Sequence, residues 1–147
     1  MNETAWQFEH SVECNANKAF VWSFWTDVSN WERIEGKAVE WIKLNGPFVI
    51  GTSGVTKTPG RDPQYWKIAQ LDPEHSATIE MSLEGAVFYN EMILESVSPD
   101  RTLITQRWSL AGPKASDLAE GMQMFEISAP QGLAKLAKTI ESAYEGA

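Results

Sequence analysis

The stretch NKAFVWSFWTDVSNWERIEG, residues 17–36, decides the fold, because its pattern is that of two short helices joined at a bend. Asn17 can cap the first helix, since its side chain can accept hydrogen bonds from the free N–H groups of the first turn. That helix is expected to end near Asp27. The Ser-x-x-Glu motif that begins at Ser29 predicts a capping box at the start of the second helix, and Gly36 is expected to end it.

Strand patterns lie on both sides of this helix pair. Residues 5–13, AWQFEHSVE, alternate between apolar and polar positions, as in a half-buried strand. From residue 38 to about 110, turn signals separate short segments, and such short connections favour antiparallel neighbours. Six further strands are therefore predicted, in the segments VEWIKL, GTSGVTKT, QYWKIAQL, SATIEMSL, AVFYNEMILESV and TLITQRWSL.

The C-terminal stretch PQGLAKLAKTIESAYEGA has the periodicity of a long amphipathic helix, with Pro130 near its start. Its apolar face comprises Leu133, Leu136, Ala137, Ile140 and Tyr144. The order of elements predicts an α+β fold in which a curved antiparallel sheet of about seven strands wraps around this helix. We expect residues 1–147 to form a single domain, since no linker or repeat interrupts the pattern.

Composition and charge exclude several classes of function. Acidic residues outnumber basic ones by 20 to 12, the net charge is −8, and the basic residues are scattered. A nucleic-acid-binding protein needs a basic surface, and an anionic membrane would repel this chain. Cys14 is the only cysteine, so neither an internal disulfide nor a multi-cysteine metal site can form.

The sequence also bears on location. The start, MNETAWQFEH, lacks the basic and apolar regions of a signal peptide, and no stretch approaches the roughly 20 apolar residues of a membrane span. We therefore predict a cytoplasmic protein that does not insert into membranes.

Four stretches together resemble the START-related helix-grip superfamily, which includes polyketide cyclase/dehydrase and lipid-transport proteins. They are NKAFVWSFWTDVSNWERI, NGPFVIGTSG, SPDRTLITQRWSLAG and PQGLAKLAKTIESAYE, and the similarity extends over essentially the whole chain. The resemblance implies an apolar cavity between sheet and long helix that holds a lipid, sterol-like, aromatic or polyketide molecule. Some members catalyse cyclisation or dehydration there, and others, such as the Hsp90 activators, act through protein partners. The superfamily has no invariant catalytic set.

Strand parity predicts which side chains would meet a ligand. On each strand, the alternate set with fewer charges is assigned to the inner face of the sheet. The long helix adds its apolar face. The predicted ligand-binding residues are Trp66, Ile79, Met81, Phe88, Asn90, Met92, Gln106 and Trp108 on strands, with Leu133, Leu136 and Ile140 on the helix.

Two amides interrupt these apolar faces. Burying Asn90 or Gln106 without a hydrogen-bond partner would cost about 1–3 kcal/mol each. Each is therefore expected to bond either within the protein or to a ligand, and both alternatives stay open. A few convergent polar groups in an apolar pocket are typical of small-molecule sites.

His10 is the leading candidate for acid–base catalysis, because it shares its parity with Trp6, Phe8 and Val12 and an imidazole can donate or accept a proton. A packed structural role is the alternative. The other histidine, His75, lies in a turn, and zinc needs three or four convergent ligands, so neither a metal nor another cofactor is predicted.

Three functions follow from these observations. The first is binding of a hydrophobic or aromatic small molecule. The second is a partner-binding module with a filled interior, for which a partly exposed Trp31 would suit a protein partner, and homodimer formation is left open. The third is a cyclase or dehydratase, which would need a titratable group inside the cavity.

Overall fold

Seven β-strands form one antiparallel sheet in this computed structural model, which describes residues 4–146. The strands are β1 Thr4–Cys14, β2 Trp41–Leu44, β3 Ser53–Lys57, β4 Gln64–Asp72, β5 Ser76–Leu83, β6 Ala86–Ser98 and β7 Arg101–Ala111. Their order across the sheet is β1-β7-β6-β5-β4-β3-β2. Strands β2 to β7 therefore each pair with the next strand in sequence. Strand β1 pairs with β7 and forms one edge of the sheet, and β2 forms the other.

The helices lie in two groups. They are α1 Lys18–Thr26 and α2 Ser29–Glu35 after the first strand, and α3 Ala115–Ala119 and α4 Gln123–Glu145 after the last. Short 3-10 turns follow α2 and join α3 to α4. The predicted helix-grip arrangement of sheet, helix pair and long C-terminal helix is confirmed.

The helix pair begins partly as expected. Asn17 Oδ1 accepts a hydrogen bond from the backbone N–H of Phe20 at 2.7 Å, which confirms the predicted cap of α1. The predicted capping box of α2 is wrong. Ser29 already lies in the first turn of α2, and its hydroxyl donates to Asp27 Oδ1 at 2.6 Å. Asp27 also accepts from the Ser29 backbone N–H at 3.2 Å, so the aspartate supplies the acceptor at this helix start.

The start of the long helix was predicted too late. Helix α4 begins at Gln123, and Pro130 lies inside it. Proline inside a helix removes one backbone hydrogen bond and costs about 3 kcal/mol. Packing of neighbouring residues offsets this cost, since Ala129 and Leu133 are both buried on either side of the proline.

Two hydrophobic clusters hold the helices on the sheet. The larger joins α1, α2 and the C-terminal half of α4 to the sheet, and Ile68, Met92, Ile104, Leu133 and Ile140 are among its most buried side chains. The smaller lies under α3 and contains Ala86, Leu110 and Ala115, with Trp6, Phe88 and Met122 packed against it.

The outer face of the sheet is charged. Arg107 donates from Nε to Glu9 at 2.8 Å and from Nη1 to Glu91 at 3.0 Å, across three adjacent strands. Arg107, Glu9 and Glu91 therefore share the outer face, where all three side chains are partly exposed. Because side chains alternate along a strand, the neighbours of these charges point inward, toward α4.

Candidate functional site

A cavity of about 670 Å³ lies between the inner face of the sheet and α4. Its walls come from α1, α2, six strands and α4, together with Val39 just before β2. The lining residues are Trp25, Trp31, Ile34, Glu35, Val39, Ile42, Thr56, Gln64, Met81, Phe88, Asn90, Gln106, Trp108, Phe125, Ser128, Ala129, Gly132, Leu133 and Leu136.

Strand register brings the sheet side of the cavity together. Phe88 pairs with Met81 across β5 and β6, and Asn90 pairs with Trp108 across β6 and β7. Paired residues share a face of the sheet, and positions two apart on a strand also share it. The inward parity predicted for β5, β6 and β7 therefore places these four side chains on one wall.

Small residues on α4 leave room for the cavity. Ser128, Ala129 and Gly132 face it along the middle of the helix. A Cβ atom added at Gly132 would meet no heavy atom within 4 Å. Further along the same helix, Leu133 and Leu136 are large, and they close the cavity against the larger cluster.

Aromatic rings form much of the wall. Trp31 lies between Trp25 and Trp66, with ring centroids 5.6 and 5.2 Å apart, and its Nε1–H donates to the Trp25 carbonyl at 2.6 Å. On the opposite side, the ring of Phe125 meets Trp108 edge-on at 5.3 Å. These contacts fix the orientation of the rings and leave apolar faces toward the cavity.

The polar lining contains an unpaired acceptor. Among the residues that the structure describes, Asn90 Oδ1 is buried and has no hydrogen-bond partner. Its neighbours on the inner face are the buried Trp108 and Ile79 on the adjacent strands. A buried amide oxygen without a partner costs free energy comparable to a lost hydrogen bond, so this atom needs an explanation.

Charge is scarce in the cavity. Of the described lining residues, Glu35 at the exposed end of α2 is the one with a charged side chain. Arg107, by contrast, is held on the outer face by Glu9 and Glu91. The described cavity wall therefore offers no cation to an anionic group.

Seven of the eleven predicted ligand-binding residues line the cavity. They are Met81, Phe88, Asn90, Gln106, Trp108, Leu133 and Leu136. Ile79 and Met92 on the sheet and Ile140 on α4 instead pack in the larger cluster. Ile140 is fully buried there.

Trp66 lies behind the cavity wall. Its ring contacts that of Trp31, and its Nε1–H donates to Thr56 Oγ1 at 3.0 Å. Gly54 on the adjacent strand makes room for the ring, because a Cβ at that position would overlap it. Trp66 also borders a second, shallower hollow of about 510 Å³ near Tyr65 and Leu83.

His10 faces inward as its parity predicts but does not line the cavity. It is half-buried on β1 and pairs with Gln106 on β7. Gln106 lines the cavity. His10 lies on the neighbouring strand β1, which is at the edge of the sheet.

The sequence reasoning missed much of the helical wall. Phe125, Ser128, Ala129 and Gly132 precede the run that was read as the long helix or lie at its edge. Their spacing of three and four residues is the helical signal that could have found them, had the helix been continued through Pro130.

Other reactive groups lie away from the cavity. Burial raises the pKa of the Cys14 thiol to about 12, with a smaller contribution from the negative charge of Glu141. Its sulfur donates to the Ala137 carbonyl at 3.5 Å, so the thiol is a packing group. Within residues 4–146, no group of three or more histidine, cysteine or acidic side chains is placed to hold a metal ion. None of the helices in that range is long and apolar enough to cross a membrane.

Solved structures share this fold at low sequence identity, whereas no family model and no curated protein matches the chain. Norcoclaurine synthase from Thalictrum flavum, as a point mutant with a transition-state analogue, matches with a TM-score of 0.76 at 15% identity, over 97% of this chain and 98% of that one. The ZhuI aromatase/cyclase from Streptomyces sp. R1128 matches with a TM-score of 0.71 at 15% identity, over 92% and 93% of the two chains.

A third similar structure is a hypothetical protein from Helicobacter pylori, with a TM-score of 0.69 at 17% identity, over 97% of this chain and 89% of that one. Identities at this level establish the fold and leave the activity open. The chain has the same helix-grip fold as these structures.

Proposed function

We propose that this protein binds an apolar, aromatic small molecule in the cavity between the sheet and α4. The observation that carries the proposal is the combination of small residues on α4 with aromatic rings on the facing wall. A cavity of about 670 Å³ lies within the range of roughly 300–1,000 Å³ that small-molecule sites occupy.

Two of the similar structures support an aromatic ligand. Norcoclaurine synthase has been solved in complex with dopamine and hydroxybenzaldehyde, and the Streptomyces protein is an aromatase/cyclase. In this chain, Trp31, Phe88 and Trp108 offer ring faces and edges on which a flat apolar molecule can stack. Asn90 and Gln106 would orient its polar group.

Catalysis has less support than binding. A cyclase or dehydratase needs a proton donor or acceptor within reach of the substrate. Among the described lining residues, Glu35 is the one acid or base, and it lies at the exposed end of α2. His10 lies outside the wall, so Glu35 replaces it as the candidate if turnover is found.

The partner-binding alternative also loses its main support. It was based on a filled interior and on a partly exposed Trp31, and of these the filled interior conflicts with the cavity. The ring of Trp31 is half-buried among Trp25, Phe48 and Trp66, and it lines a cavity. A ring held in this way is available to a molecule inside the cavity.

Blocking the cavity tests the proposal. The probe is N-phenyl-1-naphthylamine, a neutral aromatic dye whose fluorescence rises in apolar surroundings. Gly132→Phe adds a ring where the cavity is open, and Gly121→Phe is the matched control, since a Cβ there also meets no atom within 4 Å but Gly121 does not line the cavity.

We expect the wild type and Gly121→Phe to bind the dye with similar affinity, and Gly132→Phe to bind it at least about tenfold more weakly, because its ring occupies the ligand's place. Circular dichroism would show that both variants are folded. Equal dye binding by all three proteins would contradict the proposal.

A further inference from the structure

One hydrogen-bond acceptor in the cavity would stay unpaired if the ligand were entirely apolar. Asn90 Oδ1 is buried and unpaired among the described residues, and Asn90 lines the cavity. We infer that the site selects neutral aromatic molecules that carry a hydrogen-bond donor, such as a phenolic hydroxyl, and binds it at Asn90 Oδ1. This inference rests on the proposed function and deepens it.

The position of Asn90 makes the acceptor specific. It lies in the middle of β6, and its cross-strand partners are Ile79 and Trp108. Both partners are more than nine-tenths buried, so neither offers the amide oxygen a solvated surface. A hydroxyl that reaches this oxygen restores a hydrogen bond in surroundings of low dielectric, where such bonds are stronger.

The surrounding wall favours a flat ring next to that donor. Trp108 is the cross-strand neighbour of Asn90, and Phe88 precedes it on the same face. Phe125 of α4 covers both of these rings, with centroids 5.3 Å from Trp108 and 5.8 Å from Phe88. A ligand ring bound against this group places a substituent toward Asn90.

Charge sets the second limit on the ligand. A carboxylate would bring negative charge to an acceptor oxygen, and the described lining provides no lysine, arginine or histidine to pair with it. Glu35 adds a negative side chain at the wall. Burying an unpaired ionised group is costly, so an anionic ligand of the same shape is disfavoured.

A series of naphthalenes tests these two limits separately. The compounds are 2-naphthol, 2-methoxynaphthalene and 2-naphthoate, near neutral pH, each measured by displacement of N-phenyl-1-naphthylamine. The hydroxyl can donate, the ether can only accept, and the carboxylate is ionised. We expect 2-naphthol to bind about tenfold more tightly than the ether, and 2-naphthoate to bind at least about tenfold more weakly than 2-naphthol.

Two variants assign the preference to a side chain. Asn90→Leu removes the acceptor at similar size, and the ratio between hydroxyl and ether is expected to fall to about one. Asn45→Leu is the matched control, because it makes the same exchange at an exposed position that does not line the cavity. It should keep the tenfold ratio.

The outcomes separate the two proposals. Binding of all compounds with no preference for the hydroxyl, a preference for the ether or the carboxylate, or a preference that survives in Asn90→Leu would overturn the inference and leave the proposed function standing. No binding of the dye, together with no change in tryptophan fluorescence on addition of any naphthalene, would overturn both.

Discussion

The two halves of the long helix differ in what they do. From Leu133 onward, α4 presents large side chains that are buried in the larger cluster. Before that point, Ser128, Ala129 and Gly132 face a cavity, and Pro130 interrupts the backbone hydrogen bonds. One half of the helix therefore completes the core, and the other half covers the cavity. The size of the side chains makes the difference between them.

Polar contacts reinforce the packed half. Glu141 accepts from the Asn15 backbone N–H at 2.7 Å, and Tyr144 donates to Asp100 at 2.6 Å while accepting from Asn17 at 3.2 Å. These bonds join the end of α4 to β1, to the start of α1 and to the turn before β7. The C-terminal half of α4 is thus held both by apolar packing and by these hydrogen bonds.

Thiol labelling gives the largest contrast between the halves. Cys14 is fully buried against Ala137 of the packed half, whereas Ser128→Cys in a Cys14→Ala background places an exposed thiol at the cavity. With a thiol-reactive disulfide, we expect the cavity thiol to react at least about a thousandfold faster, because Cys14 reacts only after unfolding.

The pH dependence of labelling sharpens this comparison. The pKa of Cys14 is raised to about 12, so its thiol stays protonated from pH 8 to 10 and labelling of the native protein stays slow. The exposed thiol of Ser128→Cys should have the ordinary cysteine pKa of about 8.5. Its labelling rate should therefore rise about fourfold from pH 8 to 10. Comparable rates for the two thiols would break the distinction between the halves.

Core truncation is expected to have the next largest effect. Ile140→Ala removes a fully buried side chain from the packed half and should lower the free energy of unfolding by about 3–4 kcal/mol. Met81→Ala acts on a half-buried side chain at the cavity, where few contacts are lost, and should cost about 1 kcal/mol. Urea unfolding measures both, and equal losses would mean that the cavity wall is as well packed as the core.

Asn90→Leu should stabilise the ligand-free protein by about 1 kcal/mol, because it removes a buried polar atom that lacks a partner. Thermal unfolding without ligand measures this change, with Met81→Leu as the control for altered packing. A loss of stability would show that Asn90 has a structural partner, and its place in ligand selection would then be untenable.

The smallest expected effect concerns the backbone of the cavity half. Gly132→Ala adds a methyl group that meets no atom within 4 Å, and alanine favours a helix over glycine by about 1 kcal/mol. We expect a gain of about 0.5–1 kcal/mol in urea unfolding, with dye binding retained. A loss of stability would show that the space beside Gly132 is not open.

Much of the architecture could be predicted from the sequence, because strand alternation and helix capping depend on residues that are close together in the chain. Alternation on β5, β6 and β7 places Met81, Asn90 and Trp108 on one face, and the register confirms it. The cap at Asn17 also follows from a local rule. Such rules depend on neighbours in sequence, so a single chain reveals them.

The exact lining of the cavity could not be predicted, because it depends on which inward residues the helices cover. Ile79 and Asn90 are paired inward residues, yet the first packs in the core and only the second lines the cavity. Reading Pro130 as a helix start hid the small residues around it. The capping box at Ser29 failed similarly, since Asp27 accepts from the Ser29 backbone N–H that Glu32 would bond in such a box.

Chemical-shift mapping is the most direct test of whether an aromatic molecule binds between the sheet and α4. Amide resonances of the isotope-labelled protein would be followed during titration with N-phenyl-1-naphthylamine. We expect shifts concentrated on β6 near Phe88 and Asn90, on β7 near Trp108, and on α4 from Phe125 to Gly132. The amides after Ile140 should change little. Amide shifts confined to the exposed residues Met124 and Ile127, with none on β6 or β7, or no shifts at all, would contradict binding in the cavity.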